Sequence, residues 1–330
     1  MADKEPEAKP GTAAILAGGM SYEHDISVRS GRRVADALRR AGWRVLSFDT
    51  DRTLLDRLDK ESPDAVVPLL HGAAGEDGAL RAVLETLSLP YVGSSAVASR
   101  RAWNKAGAKD YLSAAGVPVA PSVTLHRQVF SDLGTPRLLE AAVDAIGLPL
   151  VVKPAAGGSA MGVNRVSSPE DLPSAMMATY SYCDEAMVER YLPGRDIAVT
   201  VADFGDGPEA LPPVEIEPLS GTNDFAARYN PGATRWHAPA RLDAEAAERV
   251  AKLAVDTHRA LGLRDLSRVD LIVGDDGEVT VLEANIAPGM TETSLAPMAI
   301  EAAGLDFGEA WARLLDKAAG RGPGGPEPLI

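Results

Sequence analysis

Residues 268–285 read RVDLIVGDDGEVTVLEAN. Two apolar runs, 268–273 and 279–283, flank Asp275-Asp276-Gly277, the turn chemistry of a β-hairpin. Alternation along a strand puts Arg268 and Asp270 on one face, and Glu283 and Asn285 likewise share a face of the partner strand. Two carboxylates and an amide oxygen are hard ligands that suit magnesium, which binds a few carboxylates together with substrate phosphates. The competing reading is a solvated acidic face. It fits Asp275 and Asp276 in the turn, but not Asp270 and Glu283, which sit among apolar strand residues where an unpaired charge is expensive.

Working outward, VVKPAAGGSAMG at 151–162 is a strand carrying Lys153, followed by a Gly/Ser loop. A lysine at a strand end can pair nucleotide phosphates, and loop N–H groups can cover them. A Gly-rich hairpin with a surface lysine explains the same residues. GGMSYEHDIS at 18–27 fits neither the P-loop nor the dinucleotide pattern. It offers Glu23 near a helix start, or is an ordinary capped helix with acidic neighbours. In HGAAGEDG at 71–78, His71 follows a strand; a hydrogen-bonded structural histidine is the plainer reading.

From Thr12 to Leu87 strands and helices alternate: strands at 12–16, 43–48 and 65–70, helices at 27–41, 54–58 and 79–87. That rhythm predicts a parallel sheet, with both Gly-rich loops at strand carboxyl ends, where open α/β sheets bind ligands. Further on, helices are predicted at 105–115, 138–146, 168–180, 244–261 and 309–319, and strands at 150–154, 164–166, 187–191, 197–202 and 210–216. Residues 217–239, rich in Gly, Asn, Pro and aromatics, read as a long loop of the kind that forms lids.

Composition bounds the chemistry. The 330 residues suffice for two or three domains, and 45% hydrophobic content supports a core. A net charge of −14 argues against coating nucleic acid. A single cysteine, Cys183, excludes an internal disulfide framework and a cysteine-built zinc site. There is no apolar run long enough to span a membrane and no secretory signal, so a cytoplasmic location is expected. Only 8 of the 33 basic residues are lysines, so their positions carry information.

Taken in order, these blocks resemble the D-alanine–D-alanine ligases, members of the ATP-grasp carboxylate–amine ligases. The matching stretches are 18–27, 71–78, 89–94 (LPYVGS), 151–162, 268–270 and 282–295 (LEANIAPGMTETSL), and the resemblance spans roughly 12–318. It implies a mixed α/β and α+β fold in which an ATP-grasp unit follows a doubly wound N-terminal domain. The expected divisions are a disordered tail at 1–11, a substrate domain at 12–104, a central ATP-grasp subdomain at 105–192, a C-terminal one with metal and lid at 193–319, and a flexible tail at 320–330.

The implied reaction phosphorylates one D-alanine with ATP and joins the acyl phosphate to a second, for peptidoglycan precursor synthesis. By resemblance, Lys105, Lys153 and Ser159 serve the ATP phosphates, Glu189 and Leu192 the adenine, and Asp196 the ribose. Asp270, Glu283 and Asn285 hold two Mg²⁺ ions, with Mn²⁺ a substitute. Arg268 and the Gly289 N–H stabilise the tetrahedral oxyanion. Glu23 anchors the first ammonium with His71 nearby, Glu23, Ser159 and Tyr229 form a hydrogen-bonded triad, and Arg228, Ser294 and Leu295 face the second substrate. A homodimer is also implied, with no nucleic-acid or membrane partner.

The sequence departs from the family pattern near the second substrate. Arg228 stands where lysine is common, Ala160 where a second serine is common, and 220–229 is only loosely similar. Two alternatives therefore stand beside the ligase reading: a specialised ligase joining other amino acids, and a non-catalytic nucleotide-binding module.

Overall fold

The computed structural model describes residues 11–133, 135–219 and 232–322. Three sheets organise them. The first is parallel, with β1 (Thr12–Leu16) between β2 (Arg44–Phe48) and β3 (Ala65–Pro68). Helices α1 (His24–Arg40), α2 (Leu54–Glu61), α3 (Ala73–Glu76) and α4 (Ala79–Thr86) connect and follow these strands. β3 is buried throughout, as a parallel strand covered on both faces must be. The loops after β1 and β3 are tied side by side by Ser27: its fully buried hydroxyl accepts from the Gly18 N–H and donates to the Leu69 carbonyl, both at 2.8 Å.

After α5 (Ala96–Trp103) and α6 (Lys105–Ala114) comes an antiparallel sheet of order β4-β7-β5-β6: β4 (Ser122–His126), β5 (Leu150–Pro154), β6 (Asn164–Val166) and β7 (Glu185–Arg190). Helices α7 (Arg127–Asp132), α8 (Thr135–Ile146) and α9 (Leu172–Thr179) accompany it. Its core, including Leu150, Val152, Leu172, Met176 and Val188, is self-contained. The third sheet runs β11-β10-β8-β12-β13, with β9 (Glu209–Ala210) also on β8. Its members are β8 (Arg195–Ala202), β10 (Val214–Pro218), β11 (Thr234–His237), β12 (Leu266–Val273) and β13 (Val279–Asn285), with α10 (Ala244–Ala260) packed on it. Helices α11 (Leu295–Ala302) and α12 (Phe307–Gly320) follow.

The first and third units share one core. Trp311, Leu314 and Leu315 of α12 cluster with Ile15, Val34 and Leu38 of the parallel sheet and α1. Because the last helix closes the first layer, the loops after β1 and β3 are fixed relative to β12 and β13.

Several elements differ from their sequence reading. The stretch read as one strand at 210–216 is split, because Pro212 and Pro213 cannot donate to a ladder. β11 lies inside the stretch read as a loop, and α5, β4, α7 and α11 were not anticipated. At the C-terminus, Gly320 ends α12 and Arg321 is anchored: its guanidinium meets the fully buried Asp265 carboxylate at 2.6 and 2.7 Å and the Tyr91 carbonyl at 2.8 Å. The expected tail at 1–11 lies outside the described residues except for Gly11, and 323–330 also lies outside them.

Arg321→Met leaves the buried Asp265 with the Gly93 N–H at 2.8 Å and only the more distant Arg264, at 4.0 Å, in place of its forked cation partner. Losing one member of such a pair costs about 3 kcal/mol. Urea unfolding followed by circular dichroism is expected to show a lower midpoint; an unchanged midpoint contradicts the anchoring role.

Candidate active site

A cleft of about 470 Å³ opens between the second and third sheets. Its walls carry Lys105, Lys153, Glu189, Leu192, Asp196, Asp270 and Glu283, all singled out from the sequence. On the third-sheet side Asp270 is directly opposite Glu283, and Arg268 opposite Asn285. The next pair is Leu271 with Val281, so Leu282 is an extra residue on β13, a bulge beside the cleft. Like charges in direct opposition repel. Here each carboxylate has a cation: Arg268 forks onto Asp270 at 2.6 and 2.7 Å, and the Lys105 ammonium lies 3.3 Å from Glu283. Asn285 Nδ2 also donates to Asp270 Oδ2 at 3.2 Å. Burial alone would lower the Arg268 pKa, but the charge and hydrogen bonds of Asp270, helped by Glu283, carry it above the usual value.

The opposite wall is built on lysines. Lys105 opens α6, whose N-terminus is capped by Asn104 accepting from the Gly107 N–H at 2.9 Å. Its ammonium donates to the Gly157 carbonyl at 2.5 Å, tying the Gly/Ser loop to the helix. Lys153 on β5 reaches Glu189 Oε2 on β7 at 2.5 Å. Val151 is the residue paired with Glu189, so Lys153 approaches diagonally on the same face. A lysine the sequence reading passed over, Lys109, also bonds Glu189. Its only sequence signal was the i, i+4 spacing from Lys105 on one helix.

Beyond the cleft, the structure joins two loops 136 residues apart: Ser159 Oγ donates to Glu23 Oε1. Ser159 and Ala160 adopt left-handed backbone, with φ of 54° and 55°, a conformation kept only where surroundings enforce it. Gly72 stands close by, with φ of 73°; a Cβ there would lie 3.1 Å from Ser21 Cβ and 3.7 Å from Glu23 Oε2. His71 is buried and its Nε2 has no partner among the described residues. Burial lowers its pKa and Arg268 adds to this, against the opposing pull of Glu23 and the Ala287 carbonyl, so the imidazole is neutral.

Glu76, from the same loop, was not singled out from the sequence. It accepts from the Gly72 N–H at 2.8 Å, and burial together with the Glu23 charge pushes its carboxyl up to about 7. The loop at 286–294 docks on α1: the Met290 N–H donates to Ser30 Oγ at 3.0 Å, and Arg33 donates to the Thr291 carbonyl at 2.6 Å. Ser294 precedes α11, whose first residue is Leu295, and its hydroxyl is held by the Thr291 N–H at 3.0 Å. A Cβ on Gly289 would fall 2.8 Å from Ser294 Oγ and 3.9 Å from Ile26 Cγ2, so these three residues converge. Arg228 and Tyr229 lie outside the described residues.

The geometry thus defines a nucleotide-sized cleft between two sheets, with an acidic and amide oxygen set in its third-sheet wall and the Glu23–Ser159 loop contact beyond it. Residues 111–316, more than half of the chain, match the family model "D-ala D-ala ligase C-terminus". Among solved structures, the D-alanine–D-alanine ligase of Coxiella burnetii is 28% identical, with 95% of each chain covered and a TM-score of 0.78. The Bacillus anthracis D-alanine–D-alanine ligase, solved with ATP, is 27% identical over 94% of this chain and 98% of its own, with a TM-score of 0.79. A D-Ala:D-Ser ligase from Enterococcus faecalis is 27% identical over 94% and 99%, with a TM-score of 0.80. The chain belongs to the D-alanine–D-alanine ligase family and has its ATP-grasp fold.

The raised Glu76 carboxyl predicts a pH signature. The native state keeps a proton that the unfolded chain releases near 4.5, so ionisation of Glu76 opposes folding as pH rises from 4.5 through 7. Glu76→Gln keeps an acceptor for the Gly72 N–H and removes the charge. Its stability relative to wild type is expected to rise between pH 5 and pH 8, by about 2 kcal/mol. Thermal melts at both pH values check this; an equal difference at the two contradicts it.

Proposed function

We propose that the chain joins two D-alanines into D-alanyl-D-alanine at the expense of ATP, through a D-alanyl phosphate. The observation that carries this reading is the opposed pair Asp270 and Glu283 in the wall of the cleft, with Arg268 and Asn285 as the neighbouring opposed pair. A cleft of about 470 Å³ is within the range of small-ligand sites and suits ATP.

The donor set fits magnesium: two carboxylates and an amide oxygen on one face of the β12–β13 pair, hard ligands of the kind that share the ion with phosphate oxygens. Asp270, Glu283 and Asn285 would hold two ions, Mg²⁺ or Mn²⁺, which supply charge neutralisation for the transferring phosphoryl group. On this reading Lys105 and Lys153 bind the phosphates under the Ser159 loop, Glu189 and Leu192 face the adenine, and Asp196 the ribose. Glu23 holds the ammonium of the first D-alanine, whose carboxylate oxygen attacks the γ-phosphorus as ADP leaves. Neutral His71 lies alongside, adding no like charge to that ammonium.

The second D-alanine is seated by Ser294 at the N-terminus of α11, a favourable place for its carboxylate, with Leu295 next in the chain, and the family resemblance assigns Arg228 to the same substrate. Its amine attacks the acyl carbonyl and phosphate departs. Arg268 and the Gly289 N–H stand ready for the charge that develops on the carbonyl oxygen. Glu23, Ser159 and Tyr229 form the triad that orients the loops and assists amine deprotonation. The family resemblance gives the segment around Tyr229 the role of excluding water from the acyl phosphate. The product feeds peptidoglycan precursor synthesis in the cytoplasm, and the family resemblance supports a homodimer with divisions at 12–104, 105–192 and 193–319. No described helix is long and apolar enough to cross a membrane.

Mass spectrometry of a reaction containing ATP, Mg²⁺ and D-alanine is expected to show D-alanyl-D-alanine with equimolar ADP and phosphate. Product from D-serine or another acceptor in place of D-alanine would re-assign the second substrate. ATP binding without any product would favour a binding module. Arg268→Met is expected to lower kcat by about 10²–10³-fold, as for loss of an oxyanion donor; full activity in that variant contradicts the assigned role.

A further inference from the structure

Lys109 is buried behind the cleft rather than in its wall, being 6% exposed. Its ammonium has three acceptors: Glu189 Oε1, the Ala120 carbonyl at 2.8 Å and Ser122 Oγ at 3.3 Å. That matches the three donors of an ammonium and fixes it in place between α6 and the β4-β7 edge. Glu189 is itself 2% exposed and is the shared partner of two lysines, Lys109 from behind and Lys153 from the cleft side. Burial would raise the Glu189 carboxyl, but the two ammoniums outweigh it and keep the group ionised.

The charge balance has a consequence for the cleft. Two ammoniums against one carboxylate leave this buried cluster with a net positive charge, and the only lysine of the pair that lines the cleft is Lys153. If Lys109 were neutral, Glu189 would cancel Lys153 one for one, and both oxygens of Glu189 would be free to draw Lys153 back from the cleft.

We propose that Lys109 is a positioning residue for the nucleotide: by holding Glu189 Oε1 it fixes the carboxylate and leaves the Lys153 charge available to the phosphates. Lys109 touches no substrate and acts through Glu189. The proposal rests on reading the cleft as the ATP site.

The test is titration calorimetry of ATP binding without amino acid, together with KM values for ATP and D-alanine and the melting temperature. It uses wild type, Lys109→Met, Lys109→Gln, Glu189→Gln and the Lys109→Met/Glu189→Gln double variant. Lys109→Met and Lys109→Gln are expected to weaken ATP binding about tenfold, with the KM for D-alanine within twofold of wild type. Lys109→Gln keeps an amide donor and serves where the methionine variant does not fold. On the Glu189→Gln background, Lys109→Met is expected to change the ATP Kd by less than threefold, because the charge it balances is gone. A lowered melting temperature with an unchanged ATP Kd overturns the proposal, leaving Lys109 a strut between helix and sheet. So does a proportional loss of affinity for ATP and D-alanine, or a full tenfold effect on the Glu189→Gln background. Wild type that does not bind ATP refutes the reading of the cleft itself, whereas binding that ignores Lys109 refutes only the positioning role.

Discussion

Two carboxylates facing each other across adjacent strands repel, and the architecture around Asp270 and Glu283 is arranged to make that opposition tolerable. Arg268 forks onto one and Lys105 approaches the other, each supplied by a different element. The same arithmetic recurs on the far wall, where Glu189 stands between Lys109 and Lys153. Both clusters are largely shielded from water, so the local dielectric is low and each unpaired charge would be expensive. Each of these carboxylates thus has a cation partner within the protein, and the Lys109–Glu189–Lys153 cluster keeps one ammonium in excess.

The cluster of loops beyond the Asp270–Glu283 pair depends on a different constraint. Glu23 belongs to the loop after β1, Ser159 to the loop after β5, and Gly289 and Ser294 to the loop after β13. Their meeting requires the parallel sheet and the third sheet to be in fixed register. The shared core supplies this, since Trp311 of α12 packs among residues of β1 and α1. Ser27 and Ser30 then convert that rigidity into loop positions, one holding Gly18 and Leu69, the other Met290. Both serines are fully buried and spend their hydroxyls on backbone groups that no secondary structure satisfies.

What could be read from the sequence follows from how local each signal is. The hairpin at 268–285 was legible because strand alternation and a turn fix both strands within eighteen residues, and the register obeys it. The Lys105 and Lys153 blocks were legible as chemistry on a helix start and a strand end. Lys109 was not: its partner Glu189 is 80 residues away, and nothing local distinguishes it from a solvated helix lysine. Glu76 was missed for the same reason, since its raised carboxyl comes from burial and from Glu23 in another loop. Among the elements, β11 was hidden by the Gly/Pro-rich residues around it. The C-terminal arginine read as part of a loose tail because its acceptor, Asp265, is 56 residues upstream.

The distribution of cores bears on how the cleft can work. The second sheet has a core of its own, whereas the first and third share theirs. Two contacts that bridge to the loop of the second sheet are polar: Ser159 with Glu23, and Lys105 with the Gly157 carbonyl. Separating packed apolar surface is costly in proportion to area, while a polar contact at a wet cleft exchanges with water at a small net difference. A ligase that must admit ATP, shield an acyl phosphate and release ADP needs one wall that can part from the other without unfolding either. A self-contained second sheet, held across the cleft by exchangeable hydrogen bonds, meets that need. The shared core beneath the other wall keeps the loops that carry Glu23, Arg268 and Ser294 in a fixed relation to one another.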